Sequence, residues 1–167
     1  MLPQKAFALI NRLFPQEDAF AHCDIPCGIY DPHYAQVAAL SVLRMVQLIE
    51  AMEAPAMDKG ARDRYMHALA RYTTVKDESA ELVKHEVRII RGDFFKADNS
   101  PKDLGETVDA IMKTASKARQ NIDKEAAEQL LDLVNRFAEA FWAAKKVETK
   151  RQPSNQAAGG EFVVPAN

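Results

Sequence analysis

The sequence predicts an all-α fold, an antiparallel four-helix bundle, and three observations point to it. Apolar residues recur at three- and four-residue spacing in four successive stretches. Glycine and proline cluster at a few boundaries between them. Strand-like alternation is absent. Short connections between amphipathic helices favour antiparallel neighbours that share one core.

The elements follow in order. Asp31-Pro32 suits a helix start, with Asp as cap and Pro at the first helical position. From there to about Met52, Val37, Leu40, Val46, Leu48, Ile49 and Met52 mark a broad apolar face, widened by Leu43 and Met45. So apolar a helix is expected to be central, or covered by a neighbouring subunit as well. Ala54-Pro55 ends it, because proline disfavours helix in the residue before it. A second long helix is expected from about Asp58 to Phe94, with the stripe Val83, Val87, Ile90, Phe94 and a kink or frayed turn at Gly92. After the polar loop Lys96–Lys102, Ser100-Pro101 opens a third helix carrying Leu104, Val108, Ile111, Met112 and Ala115. Asn121 or Asp123 caps a fourth, with Ala127, Leu130, Leu131, Val134, Phe137, Ala138, Phe141 and Trp142 on one face. Lys145 and Lys146 suit its C-terminal end. The helical bundle thus spans 33–148, and the loop-like composition of 149–167 predicts a flexible tail.

Composition bounds the function. The chain has 167 residues, 47% hydrophobic and 28% charged, which suits one domain with a sizeable core. A net charge of −2 gives no reason to expect a nucleic-acid partner. No apolar run approaches the roughly 20 residues needed to cross a bilayer, so no membrane partner is expected. The first 21 residues carry Lys5 and Arg12 around a short apolar patch, interrupted before Glu17-Asp18. That is too broken for an export signal. It reads as a propeptide over 1–21; an amphipathic helix that stays attached is the alternative.

Residues 22–32 hold the densest chemistry: His22-Cys23-Asp24-Ile25-Pro26-Cys27-Gly28-Ile29-Tyr30-Asp31-Pro32. Both cysteines of the chain lie here beside one of its four histidines. A disulfide would close a very small loop and stabilise little by chain entropy. Thiolate and imidazole together suit nickel, copper, zinc or iron. A structural zinc site normally takes four protein ligands; His33 could be recruited to one, although the second ligand pair that would make such a site strong is missing. Square-planar nickel(II) asks for four strong donors in a plane. A free amine at His22, the Cys23 amide nitrogen and two thiolates would supply them. The amine exists only if the chain is cut after Ala21.

The stretch His22–Pro32 resembles the nickel-binding hook of the nickel superoxide dismutases. Ala80-Glu81-Leu82-Val83-Lys84-His85-Glu86-Val87 with Gly92-Asp93-Phe94-Phe95-Lys96 resembles the family's second helix. Phe141-Trp142 with Lys145-Lys146 resembles the end of its last helix. The resemblance implies a four-helix bundle that assembles as a homohexamer, with a leader removed by a maturation peptidase. It implies metal ligands His22, Cys23 and Cys27, with one nickel ion per subunit and an axial His22 imidazole in the oxidised state. Tyr30 would gate small anions, Asp24 would hold the hook by hydrogen bonds, and Pro26 would shape its turn through a cis bond. The implied reaction disproportionates superoxide to dioxygen and hydrogen peroxide through a nickel(II)/nickel(III) cycle. Reduced cysteines favour a cytoplasmic maturation site.

Two positions depart from the family's pattern. A Glu on the first helix and an Arg on the second orient the axial imidazole in the family; here Ala38 and Ser79 stand there. Gln36, Asp77 and Glu78 are candidate substitutes, and Phe94 stands where a tyrosine is common. The extra segment around Glu53–Arg64 has no assigned role. His33, His67 and His85 read as bundle or surface histidines, and Lys96 as a solvated lysine that could add positive potential. The reading of a different class is a helical bundle that binds a thiophilic metal without turnover and keeps its leader. A third is a helical interaction module in which the two cysteines do nothing.

Overall fold

A computed structural model describes residues 28–166. Four helices form the body: α1 (His33–Glu50), α2 (Lys59–Ile89), α3 (Leu104–Gln120) and α4 (Lys124–Ala144). A two-stranded antiparallel hairpin follows, β1 (Thr149–Pro153) and β2 (Glu161–Pro165). Among the described residues, no helix is long and apolar enough to cross a membrane.

Local chemistry sets the helix starts. The Asp58 carboxylate accepts from the Ala61 amide at 2.9 Å, and Asp123 does the same for Ala126 at 2.9 Å. Each satisfies one of the donors that a helix N-terminus leaves free. At α1 the Asp31 carboxylate accepts from the His33 amide at 2.8 Å.

The core follows the predicted stripes on α2, α3 and α4; on α1 it runs largely through small residues outside the expected stripe, and Val37, expected on the apolar face, is exposed. Ala35, Ala38, Ala39, Val42 and Val46 of α1 pack with Ala80, Val83 and Val87 of α2, Ile111 and Ala115 of α3, and Leu130, Val134, Phe137 and Phe141 of α4. Alanines at the α1 core positions let neighbouring backbones approach closely, since interaxial distance follows side-chain size.

α2 ends in a π-helical turn over Ile90–Phe94, closed by the Phe95 amide on the Ile90 carbonyl at 3.4 Å. The sequence suggests a kink or frayed turn at Gly92; the structure has a widened turn that inserts one residue. The extra residue brings two consecutive aromatics inward, with Phe95 buried and Phe94 half-buried. Isolated π turns often sit at functional sites.

α2 is much longer than its neighbours. Its 31 residues span about 46 Å, against about 27 Å for the 18 of α1. Its buried residues begin only at Lys76, so the half from Lys59 to Val75 reaches past the core. The segment Glu53–Arg64 falls in this extension and the loop that leads to it. Lys76 itself is 2% exposed. Its ammonium donates to the carbonyls of Ala118 and Arg119 at the end of α3 and to the Asp77 carboxylate at 2.9 Å. It closes carbonyls that a helix C-terminus leaves open.

The tail corrects the expectation of a flexible 149–167. Arg151 pairs with Val163 and Gln152 with Phe162 in the hairpin register. Phe162 and Val163 are buried against the bundle. The turn passes through Asn155, Gly159 and Gly160, all at positive φ. A Cβ on Gly160 would lie 2.7 Å from Leu131 Cδ2, so no larger residue fits without a shift. Loop composition at the turn hid two flanking strands that show no apolar alternation: β1 is almost wholly exposed, and in β2 the consecutive Phe162 and Val163 are both buried.

Candidate metal centre

The predicted ligands His22, Cys23 and Cys27, with Asp24 and Pro26, lie outside the described residues. The described part of the hook begins at Gly28, whose φ of 82° suits glycine. It continues through exposed Ile29 and half-buried Tyr30 into α1. Among the described residues, no group of three or more His, Cys, Asp or Glu side chains is placed to hold a metal. The nitrogen-and-sulfur donor set of the hook fits nickel by its chemistry.

The structure places Tyr30 against an aromatic cluster drawn from both long helices. Its ring lies 6.2 Å from that of Phe94, centroid to centroid. Phe94 packs on Phe95 at 5.0 Å and on Phe141 at 4.5 Å, and Phe141 on Trp142 at 5.1 Å. The π turn of α2 supplies Phe94 and the last turn of α4 supplies Phe141 and Trp142. The Lys145 ammonium sits over three of these rings, 4.9 Å from Phe141, 5.5 Å from Trp142 and 6.0 Å from Phe94. Ring faces attract a cation and hold it near one place. Sequence reasoning gave Lys145 only a helix-end role; its spacing from Phe141 and Trp142 on one helix carried the missed signal.

The candidate substitutes for an orienting partner are committed elsewhere or turned to solvent. Gln36 is 1% exposed, and its amide exchanges two hydrogen bonds with the Val163 backbone. Asp77 binds Lys76, and Glu78 is exposed. Ala38 is buried among core residues. His33, expected as a surface or bundle histidine, is exposed and stacks edge-on with Phe162 at 5.2 Å. Lys96 is exposed, with its ammonium 3.5 Å from the Gly92 carbonyl.

Comparison with known proteins agrees with this architecture. A family model described as nickel-containing superoxide dismutase matches residues 17–145. Superoxide dismutase [Ni] of Streptomyces coelicolor is 32% identical over 141 residues, covering 83% of this chain and 99% of that protein. That of Streptomyces seoulensis is 33% identical with the same coverage. A native nickel superoxide dismutase crystal structure superposes with a TM-score of 0.63 at 31% identity, covering 74% of this chain and 99% of the other. A nickel superoxide dismutase with oxidised-state nickel ligation gives 0.64 at 31%, covering 75% and 99%. The span matched by the family model takes in the hook, the four helices and the aromatic cluster beside Tyr30, and ends before the hairpin. On that breadth of agreement, the chain belongs to the nickel-containing superoxide dismutase family.

Proposed function

We propose that this chain is a nickel-dependent superoxide dismutase made as a precursor and activated by cleavage before His22. The single observation that carries the reading is the hook sequence, joined directly to a bundle whose described entrance residue, Tyr30, rests on Phe94. His22, Cys23 and Cys27 would hold the nickel through the free amine, the Cys23 amide nitrogen and two thiolates. Bound nickel supplies the one-electron couple on which superoxide disproportionation depends. Asp24 holds the hook by hydrogen bonds. Tyr30 limits the approach to small species, and Lys145, held over the Phe94 ring that Tyr30 meets, adds a positive charge that favours an anion.

The mature protein assembles as a homohexamer in this reading. Exposed Ile29, Tyr34 and Val37 at the start of α1 support self-association through that face. A maturation peptidase in the cytoplasm removes residues 1–21. Intact mass and nickel analysis of the native protein test the proposal, together with direct observation of superoxide decay. The expected result is a chain starting at His22 that carries nickel and consumes superoxide. A nickel-free native protein, or a nickel-loaded one without turnover, rejects it.

A further inference from the structure

We propose that the C-terminal hairpin is a positioning device for the hook, acting through Gln36 and Phe162 on the first turns of α1. The hook is covalently continuous with α1 at Asp31-Pro32, so whatever fixes that end of the helix fixes the base of the hook. The helix holds this end itself through one side-chain bond, the His33 amide donating to the Asp31 carboxylate at 2.8 Å; Pro32 makes no capping bond and the first turn holds no acidic residue. Buried Ala38 has no side chain that could reach back to the hook, and Ser79 has only a short one.

The hairpin adds a restraint from outside. Gln36 Nε2 donates to the Val163 carbonyl at 3.1 Å, and the Val163 amide donates to Gln36 Oε1 at 2.7 Å. Both residues are buried, so moving this turn of α1 would strand donors and acceptors away from water. One turn nearer the hook, the His33 ring meets the Phe162 ring edge-on at 5.2 Å. Further along, Gln47 Nε2 donates to the Ala158 carbonyl at 2.9 Å.

The opposite side of the hairpin is fastened to α4. Asn135 Nδ2 donates to the Glu161 carbonyl at 2.9 Å. Arg151 pairs with Asp132 and Glu139, each at 2.7 Å. The hairpin therefore bridges α4 to the N-terminal half of α1. It lies wholly beyond residue 145, where the family match stops. The positioning role for nickel rests on the functional reading above; the restraint on α1 does not.

Hydrogen exchange on the full chain and nickel(III) electron paramagnetic resonance on the chain beginning at His22 test it together. Gln36→Leu removes both hydrogen bonds at similar volume, and Phe162→Ala removes the ring contact; Phe162→Leu is the conservative rescue. Ile111→Val, a core change away from the hairpin, is the control. Amides of residues 29–36 should exchange about tenfold faster in Gln36→Leu and Phe162→Ala while those of residues 126–138 hold, with Phe162→Leu near the parent. The axial nitrogen splitting of the nickel(III) signal should weaken in the same two variants and persist in Ile111→Val. Unchanged exchange over 29–36, or equal acceleration in Ile111→Val, overturns the restraint. Nickel uptake with an unchanged splitting overturns the positioning role alone. No nickel uptake by the unaltered chain overturns the functional reading instead. If one variant does not fold, the other carries the same outcomes.

Discussion

Tyr30 and Phe94 lie with their ring centroids 6.2 Å apart and planes tilted by 57°, although one precedes α1 and the other ends the π turn that follows α2 in the chain. The antiparallel course of the two helices brings them together, and the π turn of α2 places Phe94 beside Tyr30. Phe94→Ala should therefore loosen Tyr30 as well as the core edge. Phe94 is half-buried, so a cost of about 2 kcal/mol is expected, below the ~3–5 of a fully buried phenylalanine. Chemical denaturation measures the cost. Superoxide decay at matched nickel content should slow, and an unchanged rate would remove Phe94 from any role at Tyr30.

Lys145 is exposed yet held above Phe94, Phe141 and Trp142. If that charge draws an anion toward Tyr30, Lys145→Gln should lower the second-order rate by about two- to fivefold at low ionic strength. The difference should shrink as salt rises, because screening shortens the reach of an exposed charge to about 10 Å at 0.1 M. A salt-independent loss would point to packing.

Lys76 joins two helices at a buried point, and Lys76→Met keeps the side-chain bulk while removing the donors. The Ala118 and Arg119 carbonyls would then lose their Lys76 partner, at a cost of about 2–3 kcal/mol. The denaturation midpoint should fall accordingly, with faster amide exchange at the end of α3. A midpoint within error of the parent would show that water replaces the ammonium.

Exposed Lys117 and half-buried Asp123 form a pair at 2.7 Å across the α3–α4 turn. The hydrogen bond from Lys117 and the Ala126 amide hold the Asp123 carboxyl below its ordinary value, and Asp123 raises Lys117. A depressed carboxyl stabilises the fold above its unfolded value, and that contribution is lost as pH falls through the folded one. The raised lysine contributes below its unfolded value and loses it as pH climbs through the folded one. Asp123→Asn should thus lie furthest below the parent at neutral pH and converge with it in acid. Denaturation series at several pH values check this; a pH-independent gap would mean that only the cap geometry was lost.

Much of the fold was legible because its determinants are local. Asp58 and Asp123 cap helices with their own side chains, and the core stripes of α3 and α4 follow helical spacing. The hook was legible because its donors lie within six consecutive residues. The hairpin was not, because its anchor is a contact between Gln36 and Val163, 127 residues apart. The sequence hint was Gln36 among the apolar residues of the first turns of α1, which the structure buries and pairs. Lys76 was hidden for the same reason: its partners are backbone carbonyls some forty residues away on another helix. Gly92 marked where α2 changes, but a glycine signals a weak turn without saying that it widens.

The most direct test of the account is nickel titration of two forms of the same chain, one complete from Met1 and one starting at His22, followed by intact mass and superoxide decay. A single tightly held nickel and rapid superoxide loss are expected in the form starting at His22, and neither in the form starting at Met1. Equal nickel binding and equal activity in both would contradict it, since the His22 amine would then have no part in the site.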